Sequence, residues 1–286
     1  MQYLAPGTTR DAVAILAKAK GSTHVLAGGS DLLVRMKSGF IEPDLVVDIK
    51  RIKKLQEIKK TANKITIGAA VSCAAMDANK ALKKAWPGVV EAASLIGSDQ
   101  IQGRCTIVGN MCNASPAADS VPALIAAGAR AKIAGPRGKR TLAVEKVAIA
   151  PGKTCLKKGE IVERIELPKR AARSADAYLR FIPRTEMDIA VVSAGVNLSL
   201  GRKGVITDAR VVLGAVAPTA LLVKAAAKAI IGSTLDDEAL EKLGLACSAA
   251  CKPIDDKRGT VDFRIRVAAV LAKRAARIAY KRAGGK

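Results

Sequence analysis

The sequence predicts an α+β protein in two parts, a larger one over residues 1–170 and a smaller one over 175–286. Three observations carry this reading. Short apolar runs of strand length alternate with helical periodicities through the first part. A polar and basic stretch over residues 168–177 then interrupts the pattern. Beyond it, apolar runs over 178–184, 189–200 and 209–216 predict a second sheet of antiparallel character, with Gly201-Arg202-Lys203-Gly204 as the hairpin turn between two of its strands.

Taken in order, Pro6-Gly7-Thr8-Thr9 predicts a turn feeding a helix over about 10–20, with Val13, Leu16 and Ala17 on one side and Gly21 at its end. His24-Val25-Leu26 predicts a short buried strand, followed by a helix or turn over 32–37. Strands are expected over 45–49 and 64–68, on either side of a basic connector. One helix is expected over 73–84, broken by Trp86-Pro87-Gly88 before another over 89–96. A small-residue helix over 121–127 and strands over 131–134 and 161–167 complete the first part. In the second, helices are expected over 221–231, 237–250 and 264–281.

Half of the residues are apolar, which excludes disorder as the default state. The formal charge of +23 raises nucleic acid, an anionic membrane and an acidic protein as partners. Nucleic-acid readers add aromatic stacking platforms to a positive field, whereas this chain has Trp86, three Tyr and three Phe, and its cations are scattered in short groups. The charge therefore points away from nucleic acid and towards acidic partner subunits. From Phe263 onward there are eight Lys/Arg and no carboxylates; a partner surface and an ordinary solvated helix face both produce that pattern. Six cysteines without a CxxC pair, beside one histidine, give no zinc or all-protein iron–sulfur ligand set and read as buried free thiols. No secretory leader opens the sequence, and no apolar run is long enough to span a bilayer. A cytoplasmic protein without an integral membrane segment is expected.

Two glycine segments carry the chemistry. In Thr23-His24-Val25-Leu26-Ala27-Gly28-Gly29-Ser30-Asp31-Leu32-Leu33, an apolar run enters a double-glycine turn that can present several backbone N–H groups to a phosphate. A β-carbon at Gly28 or Gly29 would obstruct either a left-handed dihedral or a close ligand approach. Thr106-Ile107-Val108-Gly109-Asn110, with Ala114-Ser115-Pro116-Ala117-Ala118-Asp119 after it, repeats the style about 80 residues later. Two such loops predict one long dinucleotide held from both sides. Gly28-Gly29 forms neither GxGxxG nor a P-loop, which makes an ordinary Rossmann assignment unsafe. Structural alternatives stand beside this reading: tight turns at both glycine segments, Asp31 as a helix cap, and Arg184 with Asp188 as an ion pair at helical spacing.

These segments, together with Arg184-Thr185-Glu186-Met187-Asp188-Ile189-Ala190, make the chain resemble the FAD-binding medium subunit of the molybdenum hydroxylases. That family includes the medium subunit of aerobic carbon monoxide dehydrogenase and the flavin domain of xanthine dehydrogenase. The resemblance covers essentially the whole chain. It implies a vanillyl-alcohol-oxidase-like FAD-binding domain over 1–170, with two lobes dividing near residue 55, followed by a smaller α+β domain with an antiparallel sheet. It implies FAD contacts from Val25, Leu26, Ala27, Gly28, Gly29, Ser30, Asp31 and Leu32, and from Thr106, Ile107, Val108, Gly109 and Asn110. Further positions carried over are Asp119, Ile96, either Ile161 or Val162 near the flavin, and Arg180, which stands where a relative has lysine. No catalytic or metal-binding residue is implied in this chain.

The function so implied is an FAD-binding electron-transfer subunit of a heteromeric molybdenum hydroxylase. Substrate oxidation would occur at a molybdenum–pterin cofactor in a large subunit, and two two-iron, two-sulfur clusters would sit in a small iron–sulfur subunit. A dimer of heterotrimers is the expected assembly. A structural or assembly flavoprotein subunit and a stand-alone flavin oxidoreductase are the alternative functions.

Overall fold

The computed structural model describes residues 1–285. Its first sheet is small: β1 (Gln2–Leu4), β2 (Thr23–Leu26) and β3 (Leu45–Asp48) lie in the order β1-β3-β2, with both pairings parallel. Parallel neighbours require crossover connections, and α1 (Thr9–Lys18) and α2 (Leu32–Lys37) form part of them. α1 starts at a cap: Thr8 is extended and its hydroxyl accepts from the Asp11 N–H at 3.1 Å. The central strand β3 is buried throughout. β2 was expected to be buried, but it is an edge strand and only Leu26 is enclosed.

The second sheet runs β4-β5-β10-β6-β7, antiparallel at every pairing. Its strands are β4 (Ile58–Lys60), β5 (Lys64–Gly68), β6 (Arg130–Gly135), β7 (Gly138–Ala143) and β10 (Ile161–Pro168), and a ribbon of β8 (Ala148–Ala150) and β9 (Lys153–Thr154) precedes β10. Ile65, Ile67, Ile133, Ile165 and Leu167 bury one face of this sheet in the core. The helices between β5 and β6 pack into the same core: α3 (Cys73–Ala78), α4 (Lys80–Ala85), α5 (Pro87–Ser94), α6 (Asp99–Gln102), α7 (Ile107–Cys112) and α8 (Ser120–Ala126). The helix expected over 73–84 is divided because the Asn79 side chain accepts from the Leu82 N–H at 2.9 Å and starts a new helix. Pro87 takes the first helical position of α5, where its missing N–H costs no helical bond.

The second part is a four-stranded antiparallel sheet, β11 (Ser174–Phe181), β12 (Val192–Leu200), β13 (Ile206–Gly214) and β14 (Leu221–Leu222). The expected hairpin joins β12 to β13, with Lys203 and Gly204 both at positive φ. The helix expected over 221–231 is shorter, because Leu221 and Leu222 pair with β13 before α9 (Lys224–Ile230) begins. α10 (Asp237–Ala250) and α11 (Val261–Arg282) complete a separate core. α11 lays Ala268, Leu271, Ala272, Ala275, Ala276 and Ala279 into it at helical spacing.

One guanidinium occupies the seam between the two cores. Arg170 stacks over Trp86 at 3.7 Å from the ring centroid, donates to the Ala85 carbonyl, and reaches Asn197 Oδ1 at 3.1 Å. It also pairs with the buried Asp176, whose other oxygen accepts from the Val89 N–H at 3.1 Å. Burial raises the Asp176 carboxyl to about 6, against the pull of Arg170. Arg282 of α11 crosses the same seam, donating to the Asp176 carbonyl at 3.0 Å and to Glu91.

Candidate functional site

The first glycine segment leaves β2 and turns sharply before α2. Gly29 has φ of +81°, a left-handed conformation that L side chains adopt only with strain. Gly28 is glycine for a different reason. A β-carbon there would overlap the Arg104 carbonyl and sit 2.8 Å from the Cys105 Cα. The constraint expected from a ligand thus comes at Gly28 from the protein's own backbone, and it is the contact by which the two glycine segments meet. Asn113 Nδ2 donates to Asp31 Oδ1 at 3.1 Å and ties them a second time.

Between the segments lies a cavity of about 490 Å³. Among the described residues, no protein acceptor receives the backbone N–H groups of Gly28, Gly29, Ser30 and Asp31. A run of unpaired N–H groups beside two side-chain-free positions suits an anionic diphosphate. Asp31 makes no capping bond to α2. Desolvation raises its carboxyl above the ordinary range, with Arg35 opposing.

The second segment differs from the expected loop: residues 107–112 form α7. Thr106 caps it, accepting from the Gly109 N–H at 2.9 Å, and a β-carbon at Gly109 would come within 3.0 Å of that hydroxyl. Asn110 Oδ1 accepts from both the backbone N–H and the hydroxyl of Ser120, at 3.1 and 2.7 Å, and so holds the start of α8 against α7. Thr106, Val108, Gly109 and Asn110 still face the cavity, as do Ile96, Ile161 and Val162 from other elements. From the first segment Val25, Ala27, Gly28, Gly29, Ser30, Asp31 and Leu32 line it. Leu26 and Ile107 do not; their side chains are buried in the fold beneath it.

Asp119 and Arg180 are also absent from the lining and pair with each other at 2.8 Å. Tyr178 donates to the other Asp119 oxygen at 2.9 Å, so β11 grips the start of α8 across the seam. Burial raises the Asp119 carboxyl to about 6, although Arg180 and Tyr178 favour its charged form. Arg180 Nε is enclosed without a partner. The Arg184–Asp188 ion pair forms at 3.2 Å, but on a non-helical loop rather than on the helix that its spacing implied.

Sequence reasoning missed His24, Arg35, Asn113, Thr154 and Glu160 in the lining. Arg35 lies one helical turn beyond Asp31, so the first motif carried a signal for it. Thr154 and Glu160 arrive by way of β9 and the turn after it, and only tertiary structure places them there. Cys105 and Cys112 line the cavity as well; all six cysteines are free, with Cys112 and Cys155 half-buried rather than enclosed.

Comparison with known proteins matches residues 1–170 to the FAD binding domain in molybdopterin dehydrogenase and residues 177–279 to the CO dehydrogenase flavoprotein C-terminal domain. The carbon monoxide dehydrogenase medium chain of Hydrogenophaga pseudoflava is 30% identical over 98% of this chain and 97% of its own length. The xanthine dehydrogenase FAD-binding subunit of Escherichia coli is 26% identical over 99% and 97%. A solved structure of reconstituted CO dehydrogenase from Oligotropha carboxidovorans superposes with a TM-score of 0.95 at 30% identity, covering 99% of this chain and 98% of that one. No helix among the described residues is long and apolar enough to cross a membrane. With the unpaired N–H groups of the glycine turn, the cavity and these matches in agreement, the chain belongs to the FAD-binding medium subunits of the molybdenum hydroxylases.

Proposed function

We propose that this chain is the electron-transfer subunit of a heteromeric molybdenum hydroxylase, standing between the iron–sulfur clusters of a small partner subunit and an external acceptor. The observation that supports it best is the meeting of the two glycine segments around one cavity, joined at Gly28 and through Asn113 and Asp31. Bound FAD supplies a two-electron carrier that ordinary side chains lack. The chain's own residues position it. The N–H groups of Gly28 to Asp31 would donate to the diphosphate, Thr106, Val108, Gly109 and Asn110 would close the opposite wall, and Ile96, Ile161 and Val162 would provide apolar contact. Asp119 and Arg180 act one layer behind, fixing α8 and through Ser120 the orientation of Asn110. Residues 1–170 form the cofactor domain, with lobes dividing near residue 55, and residues 175–286 form the second domain.

The partners are a large molybdenum–pterin subunit and the small iron–sulfur subunit, assembled as a dimer of heterotrimers in the cytoplasm. The test is to isolate the complex through a tagged full-length chain, record its flavin spectrum, and follow bleaching after addition of the complex's substrate. Bleaching that requires the iron–sulfur chain is the expected result. Folded protein that repeatedly fails to take up FAD, or flavin that stays oxidised in the complete complex, would overturn the proposal. Turnover by the isolated chain would favour a stand-alone oxidoreductase instead.

A further inference from the structure

Two of the free thiols stand together where the glycine segments meet. Cys73 opens α3 and Cys105 precedes the Thr106 cap of α7, and both are enclosed in the first core. The Cys73 N–H donates to the Cys105 carbonyl at 2.9 Å. By standard bond lengths that contact holds the two α-carbons at most about 6.8 Å apart. Disulfides span roughly 4.4–6.8 Å between α-carbons, so the backbone already meets the requirement. The sulfurs meet as well, since the two thiols share a side-chain hydrogen bond.

The pair is asymmetric. Cys105 lines the cofactor cavity, whereas Cys73 lies behind it, fully buried. The hydrogen bond from Cys73 favours the Cys105 thiolate and holds that thiol below its ordinary range, while donating that bond, together with burial, pushes Cys73 well up. Burial pushes Cys112, the other thiol in the lining, up to about 12. The thiolate is the reactive form, so access and ionisation single out the same sulfur. We infer that Cys73 and Cys105 are a dithiol that a hydroperoxide converts to a disulfide in the flavin-free chain, and that bound FAD guards it. The Cys105 sulfur attacks a peroxide oxygen, the O–O bond breaks, water or an alcohol leaves, and Cys105 becomes a sulfenic acid. The Cys73 sulfur then displaces the hydroxyl, which leaves as water with the thiol proton, and the S–S bond forms. Two thiols give up two electrons in all, and one peroxide takes them. A dinucleotide along the glycine segments covers the approach to Cys105. The Cys105 backbone abuts Gly28, so the cross-link forms directly behind the first glycine turn.

Flavin uptake by the full-length chain is measured first, by visible absorbance; failure there defeats the proposed function, while the flavin-free chain still tests the dithiol. Flavin-free and FAD-loaded protein are then treated with hydrogen peroxide, and linked cysteine peptides are mapped by mass spectrometry. The expected result is a Cys73–Cys105 cross-link, reversed by dithiothreitol, that forms at least about tenfold faster without FAD. In Cys73→Ser, dimedone should trap a sulfenic acid at Cys105; in Cys105→Ser, Cys73 should stay unlabelled. A folded, flavin-free wild type in which Cys73 and Cys105 stay reduced, or link to other cysteines, overturns the inference. Equal rates with and without FAD overturn it too, as does dimedone on Cys73 in Cys105→Ser. Should either variant fail to fold, the wild-type map decides alone.

Discussion

The two walls of the cavity look alike as text and do different physical work. At the first, the glycines let the chain turn at φ of +81° and lie against the Arg104–Cys105 backbone, leaving successive N–H groups without partners. At the second, the groups from Gly109 onward are committed, the Gly109 N–H to the Thr106 hydroxyl, the Asn110 N–H to the Thr106 carbonyl and the Asn110 side-chain oxygen to Ser120, and only the N–H groups of Thr106, Ile107 and Val108 at the helix start lack an acceptor among the described residues. The first wall is a cradle throughout, and the second is a truss from Gly109 onward. A glycine beside hydrogen-bonding residues therefore does not define a ligand contact; the partners of its backbone groups do.

Four substitutions or titrations would break or sharpen that contrast. Gly28→Val should have the largest effect, because the added side chain forces apart the backbones that join the walls. A loss of about 4 kcal/mol in urea unfolding together with loss of bound flavin is expected. Intact stability with lost flavin would mean that the constraint at Gly28 comes from the ligand alone.

The truss has a pH signature. Asp119 titrates near 6 when folded and near the ordinary carboxylate value when unfolded, so the folded state binds more protons between the two. Its contribution is fully present below the unfolded value and is lost as pH rises through 6. The stability of wild type relative to Asp119→Asn should fall by about 3 kcal/mol between about pH 3 and 7, measured by denaturant midpoints. A relative stability that rises with pH would show that pairing with Arg180 outweighs burial.

Asn110→Ala leaves the Ser120 N–H without its acceptor and the Ser120 hydroxyl with only the Ile107 carbonyl at 3.4 Å, and about 2 kcal/mol of stability should be lost. Any fall in FAD affinity should be smaller than that caused by Gly28→Val. Gly29→Ala should be the mildest, with strain of about 1 kcal/mol and a fold intact by circular dichroism. Its flavin dissociation constant, read by fluorescence titration, should nevertheless rise more than that of Asn110→Ala, since Gly29 belongs to the cradle.

Much of the fold was legible where one face of an element is apolar. β5, β10, β12 and α11 announce themselves through buried Ile, Leu, Val and Ala at the appropriate period. β4 and β7 did not, because Lys59, Lys60, Lys139 and Arg140 give them no apolar alternation, and only pairing with β5 and β6 makes them strands. Asn79 was hidden because one side chain ends a helix and starts the next. α7 had a readable signal in Thr106, three residues before the N–H that it caps, but the glycine drew the eye to a loop. The site positions came through family resemblance rather than through pattern. What no local pattern carries is the 61-residue separation between Asp119 and Arg180, or the arrival of Thr154 and Glu160 at the cavity.

Trp86 is the sole tryptophan of the chain, and a guanidinium from the linker between the sheets rests on its ring. Its emission is consequently a single-site optical gauge of how the halves are joined, separate in wavelength from the yellow chromophore. Unfolding followed at that indole should report the moment the halves part, and loss of flavin emission changes should report the moment the cradle opens. Whether the two signals move together or in succession tells how far prosthetic-group retention depends on the clasp.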